Sequence, residues 1–274
     1  MAALAIGLAF GLSCGSRISD TERRQAQTRA QLATSMLLEG EFASALGEAR
    51  RSVELDPECI DCKVTLATVY AARSEWSQAE AVLREVLEAD PDNPFALNTL
   101  ATVYLNLGRP AEAAPLARRA TENELYSGRH LAFYNLGWAA LQRQQYQEAL
   151  EAFGQAIREA PTMCLAHYRV GEVFFRLRRY EDALDHLEQA VAAREETPVE
   201  GQQDRDVHTC GDMPDAQHLL GMTLVALGRE EESRAAFERC AELATPRTDL
   251  GRRCAQQTNG QENDGDEPGI VPEE

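Results

Sequence analysis

Seven cysteines carry most of the covalent chemistry open to this chain: Cys14, Cys59, Cys62, Cys164, Cys210, Cys240 and Cys254. Cys59-Ile60-Asp61-Cys62 has the CxxC spacing. Redox use of that spacing goes with a βαβ setting, and a zinc site needs two more ligands at suitable distance. Neither surrounds this pair, so a local disulfide is expected at Cys59 and Cys62. Five histidines are present, and His208-x-Cys210 with His218 matches no familiar zinc spacing. No Ser/His/Asp grouping, nucleophile elbow, phosphate-binding glycine loop or acidic metal motif can be picked out. The chain therefore reads as a non-enzyme, with no catalytic residue, metal or cofactor expected.

Cys14 stands apart from the other six. Met1 to Cys14 carries no charged side chain and is rich in Ala, Leu and Gly. Spanning a bilayer takes roughly 20 residues, so this run is too short, and it reads as a secretory apolar region ending in small residues. Leu12-Ser13-Cys14-Gly15 resembles a bacterial lipobox. That resemblance implies a signal peptide over 1–14, a lipid on Cys14, and anchoring to the membrane through it. Gly15 is not the Asp that retains lipoproteins at the inner membrane, so the periplasmic face of the outer membrane is the expected location. A cleaved, soluble export signal and an apolar cytosolic helix are the other readings of this stretch. Six cysteines remain, an even number, in a compartment that permits disulfides.

What must position these residues is a helical scaffold. Of 274 residues, 44% are hydrophobic, enough to bury a core, and few aromatics with much Ala, Leu, Glu and Arg favour an all-α chain. The net charge of −18 argues against non-specific nucleic-acid binding. Phe133 to Ala160 reads as two amphipathic helices with a turn between them. Leu136, Gly137 and Ala140 mark the first, Ala149, Phe153 and Ala156 the second, and Pro161 closes the pair. Such a pair cannot bury both apolar faces alone and needs copies on each side. The copies exist. Pro57 to Pro91 spans 34 residues, and so does Gly137 to Gly171. Small residues recur at Ala33, Ala67, Ala101, Gly137, Gly171 and Gly221, each within a Leu-Ala, Leu-Gly or Val-Gly pair.

This pattern resembles the tetratricopeptide repeat (TPR). It implies a solenoid of about six helix-turn-helix repeats, a single domain over 24–254, with a C-terminal capping helix carrying Arg252 and Arg253. Gly171 to Gly221 is 50 residues, so a polar insertion over 194–214 is expected between the fifth and sixth units. Residues 255–274 hold six acids and no Lys or Arg and are expected to be a disordered acidic tail. In a solenoid the helix starts at Cys164 and Cys210 are neighbours, which makes that pairing reasonable and leaves Cys240 to tie the last helix to Cys254 on the cap.

Helical phase also assigns a binding face. Positions roughly one, four, eight and eleven into each first helix face the concave side. They hold Leu37, Val64, Phe95, Asn98, Thr102, Leu131, Tyr134, Trp138, Leu141, Leu165, Tyr168, Phe175 and Met222. An apolar, aromatic protein-binding groove with few charges is expected there, with Trp138, Tyr134, Tyr168 and Phe95 as anchors. Packing within the superhelix is the alternative use of the same residues. Arg176, Arg178 and Arg179 read as a solvated helix end.

A lipobox followed by six TPR units resembles the type IV pilus pilotin family (PilF/PilW/Tgl-like). That resemblance implies a lipid-anchored outer-membrane scaffold that helps the secretin subunit assemble, with the secretin as protein partner. A structural or assembly lipoprotein for another envelope pathway, such as peptidoglycan or outer-membrane machinery, is the alternative.

Overall fold

The structure, a computed structural model, describes residues 18–192 and 213–258, and these form thirteen helices and no strand. The first helices of the repeats are α1 (Asp20–Leu38), α3 (Ile60–Ala72), α5 (Pro94–Asn106), α7 (Arg129–Gln142), α9 (Cys164–Arg176) and α11 (Pro214–Ala226). The second helices are α2 (Phe42–Leu55), α4 (Trp76–Ala89), α6 (Pro110–Glu122), α8 (Tyr146–Glu159), α10 (Tyr180–Val191) and α12 (Glu230–Leu243). A last helix, α13 (Asp249–Thr258), follows. The all-α solenoid of six helix-turn-helix repeats and a closing helix is therefore the fold.

The 34-residue period is written in backbone as well as side chains. Each turn inside a repeat contains one residue in the left-handed region: Gly40, Ser74, Gly108, Gln144, Arg178 and Gly228. Glycine supplies that conformation without strain at three of the six. The small residue of each first helix sits sixteen positions before a buried residue of the second. At Gly137 the reason is explicit: an added Cβ would lie 2.7 Å from the Phe153 ring, which is fully buried. Gly171 and Gly221 face Leu187 and Phe237 in the same way. A large residue on the second helix is thus matched by no side chain on the first, which lets the helices close on one another.

Caps fix the helix starts. Ser19 and Glu22 form a capping box on α1, and the Asn93 side chain accepts from the Ala96 N–H at 3.0 Å ahead of Pro94. The chain gathers into two compact units, Met1–Val86 and Leu87–Glu274. In the first, α1 packs on α2 and α3, and α2 on α3. In the second, each helix from α5 to α13 packs on the next, and α5 also touches α7, α7 touches α9, and α9 touches α11.

Some boundaries differ from those expected. Regular structure begins at Asp20 rather than residue 24. Pro214 opens α11, because its missing N–H is free to be lost at a first helical position, so it is helix and not insertion. Ala255 to Thr258 belong to α13 rather than to the acidic tail. The signal peptide and lipobox over 1–14, the insertion from 194 to 212 and the tail from 259 onward lie outside the described residues.

Candidate functional site

The second unit presents an aromatic and charged cluster on facing first helices, α7 and α9. Tyr134 and Trp138 are one helical turn apart on α7, with ring centroids 6.2 Å from each other. Tyr168 and Arg169 come from α9. The Arg169 guanidinium lies 5.4 Å from the Trp138 ring centroid and 5.2 Å from that of Tyr168. Its Nε donates to the Tyr134 hydroxyl at 3.4 Å, and its other arm donates to Glu172 at 2.8 Å. Glu172 accepts in turn from Arg176 at 2.5 Å. The side chains of Arg169 and Glu172 are only 17% and 12% exposed, so this pairing is shielded from solvent. Two guanidinium groups and one carboxylate leave the cluster one positive charge in a chain of net −18. Trp138 and Tyr168 stay half-buried, each with a face on the cation. A planar cation held between aromatic rings fixes both rings in place and leaves their outer surface for a partner.

This corrects the expected groove. Its centre is not an apolar surface with few charges but an arginine–carboxylate core framed by aromatics. Nor do all the assigned residues face outward. Tyr134, Leu141 and Phe175 are buried, because the turn of α7 or α9 that faces the neighbouring first helix is packed rather than open. Asn98 is buried as well and accepts from Asn135 Nδ2 at 2.8 Å, while that amide also donates to Thr102. A buried amide pair between α5 and α7 satisfies polar groups and sets the register of the two helices. Phe95 and Leu131 are exposed, at 48% and 39%. Trp138, Tyr168 and Met222 are half-buried, as are Leu37 and Val64 in the first unit. Trp138, Tyr134 and Tyr168 are thus brought together. Phe95 is held elsewhere, edge-on to Tyr126 at 4.8 Å.

The repeat pattern and helical phase do not point to Arg169, Glu172 or Tyr126. The spacing Arg169, Glu172, Arg176 places three charges on one helix stripe, which was a readable signal. Tyr126 sits in the link that lengthens the interval from Ala101 to Gly137 to 36 residues. It is buried against Phe95 and Leu97, and burial pushes its hydroxyl up to about 12, partly offset by a hydrogen bond to Asn98. The expected solvated arginine end is divided. Arg176 is tied to Glu172, Arg179 pairs with Asp182 and stacks 4.5 Å from the Phe174 centroid, and Arg178 is exposed.

Of the cysteines, Cys59 bonds Cys62 and Cys240 bonds Cys254. Cys164 is disulfide-bonded too, and Cys210 and Cys14 lie outside the described residues. Among the described residues no helix is long and apolar enough to cross a membrane.

Tetratricopeptide repeat models match residues 31–94, 64–130, 134–198 and 214–245. The chain belongs to the tetratricopeptide repeat family. The matching models are of repeat units, and none is of a catalytic family. This TPR chain matches none of the curated proteins. Among solved structures it is similar to PilF of Pseudomonas aeruginosa, at 19% identity and a TM-score of 0.66, covering 86% of this chain and 99% of that one. It is similar to PilW, described as a widely conserved type IV pilus biogenesis factor, at 16% identity and a TM-score of 0.67, covering 84% and 98%. It is also similar to a tetratricopeptide repeat protein from Parabacteroides merdae, at 16% identity and a TM-score of 0.62, covering 85% and 84%. At these identities the likeness is one of fold.

Proposed function

We propose that this TPR chain is a non-catalytic, lipid-anchored scaffold that binds the secretin subunit of a type IV pilus and assists its assembly in the outer membrane. The observation that carries the binding role is the Trp138–Arg169–Tyr168 stack. It holds two partly exposed aromatic rings rigid on the face where first helices adjoin. Rigid aromatic and arginine anchors supply most of the energy at protein interfaces. Likeness over nearly the full length of PilF and PilW supports the pilus assignment, as does a lipobox-like Leu12-Ser13-Cys14-Gly15 ahead of the repeats.

Deletion of the gene should abolish secretin multimers, and secretin should co-purify with the intact chain. Multimers that persist unchanged would end the pilotin reading, and capture of peptidoglycan or barrel-assembly components in place of secretin would favour the envelope alternative. Trp138→Ala should weaken partner binding by about 2 kcal/mol or more with helicity retained. Loss of helicity in that variant would assign Trp138 to the core. Cys14→Ser should release the chain from the membrane fraction.

A further inference from the structure

The CxxC pair gains a setting in three dimensions that its sequence lacks. Cys59 is the N-cap of α3, and its Sγ accepts a hydrogen bond from the Cys62 N–H at 3.2 Å. Cys62, one turn in, is fully buried against Ala26 and Ala30 of α1, whereas Cys59 is partly exposed at the edge of that cluster. The two sulfurs are therefore unequal. One belongs to a partly exposed residue and sits where the backbone N–H groups of the first turn and the helix dipole favour negative charge. The other is enclosed by apolar side chains. Asp56, Glu58 and Asp61 oppose charge on Cys59, but Glu58 and Asp61 are exposed to screening solvent, and the Asp56 carboxylate is engaged by the Glu58 N–H at 3.1 Å.

We infer that Cys59–Cys62 is a redox-active disulfide, with Cys59 as the sulfur that exchanges with an external thiol and Cys62 as the resolving sulfur. The partner is a protein or peptide bearing two thiols. One partner thiol attacks the accessible Cys59 Sγ; the Cys59–Cys62 bond breaks, a partner–Cys59 bond forms, and the proton of the attacking thiol ends on Cys62. The second partner thiol then attacks the partner sulfur of that mixed disulfide. Cys59 leaves as the thiolate that the α3 N-terminus favours, the proton of the second partner thiol passes to solvent, the partner gains a disulfide, and this chain retains the Cys62 thiol and the Cys59 thiolate. Exchange in the other direction returns the pair to its oxidised state.

The test uses the full chain, folded, with reduced glutathione as the probe. After alkylation and peptide mapping, Cys59 and Cys62 should be labelled while Cys240 and Cys254, both fully buried, stay bonded. In the reduced wild-type protein Cys59 should alkylate roughly ten-fold faster than Cys62, with a midpoint below the ordinary thiol value. In Cys62→Ala, oxidised glutathione should be trapped on Cys59, the Cys59 thiolate attacking one glutathione sulfur and the other glutathione leaving as the thiol. The inference is overturned if the Cys59–Cys62 bond opens only when the chain unfolds, or if Cys59 alkylates with the pH profile of an ordinary thiol. The wild-type kinetics decide this even where Cys62→Ala does not fold.

Discussion

Cys59–Cys62 and Cys240–Cys254 make the same bond in opposite surroundings. The first joins positions three apart at the start of one helix, with one of its residues partly exposed. The second joins positions fourteen apart and ties α12 to α13, with both sulfurs fully buried. A long closed loop restricts the unfolded chain more than a short one, so the buried bond is the better mechanical tie and the capping bond the poorer. Near the buried bond the packing is tight in other ways. His218 of α11 stands 5.7 Å from the Phe237 ring of α12, and a Cβ on Gly251 of α13 would strike the Thr245 carbonyl. The α1–α3 region contains no histidine. The contrast teaches that the cysteine spacing matters less than what encloses each sulfur: enclosure makes a staple, and a helix N-terminus open to solvent makes a reagent.

Three measurements would break or sharpen that contrast. Replacing Cys240 and Cys254 together by Ala should cost about 3 to 5 kcal/mol in urea unfolding and release α13, seen as lost amide protection over 249–258. Replacing Cys59 and Cys62 together should cost clearly less; equal losses would erase the distinction.

Acid should act next, and on the C-terminal region. Burial, aided by the Arg253 charge, holds the His218 imidazole at about 4 against an ordinary 6.5. The unfolded chain takes up this proton as pH falls below 6.5, and the folded chain does not. Stability from this group is therefore complete above pH 6.5 and is lost down to about pH 4, by about 3 kcal/mol. His167 and His186, whose Nδ1 atoms meet at 3.2 Å, are also lowered, chiefly by burial, and act in the same direction. Urea midpoints should fall between pH 7.5 and 4.5, less so in His218→Gln, with α11–α13 losing amide protection before α1–α3. An unchanged pH response in the variant would remove His218 from the account.

The smallest effect belongs to the N-terminal region. Ser19→Ala removes the side chain that accepts from the Glu22 N–H at 3.2 Å and should cost about 1 kcal/mol, read as fraying confined to the first turn of α1.

Much of this was legible in one dimension. The recurrence of Ala33, Ala67, Ala101, Gly137, Gly171 and Gly221 identified the repeats, because only a small residue permits the first helix to approach the second. The prolines and turn residues marked most boundaries to within a few positions. The site was less legible. Helical phase put Tyr134, Trp138 and Tyr168 on one side, and they do converge. Phase alone does not say whether a side chain ends in solvent or against the next first helix, and so it points Asn98, Leu141 and Phe175 outward although they are packed. Tyr126 was hidden because it lies in a link that departs from the period.

The sequence by itself determined the TPR solenoid, its six repeats and the residues that permit close helix contact, since these depend on local spacing and side-chain volume. Only the tertiary structure decided that Arg169 lies over both Trp138 and Tyr168 while held by Tyr134 and Glu172, and that Cys59 is partly exposed while Cys62 is enclosed. Those outcomes depend on which atoms of distant helices arrive at the same place, and exposure is a property of the packed chain rather than of any residue in it.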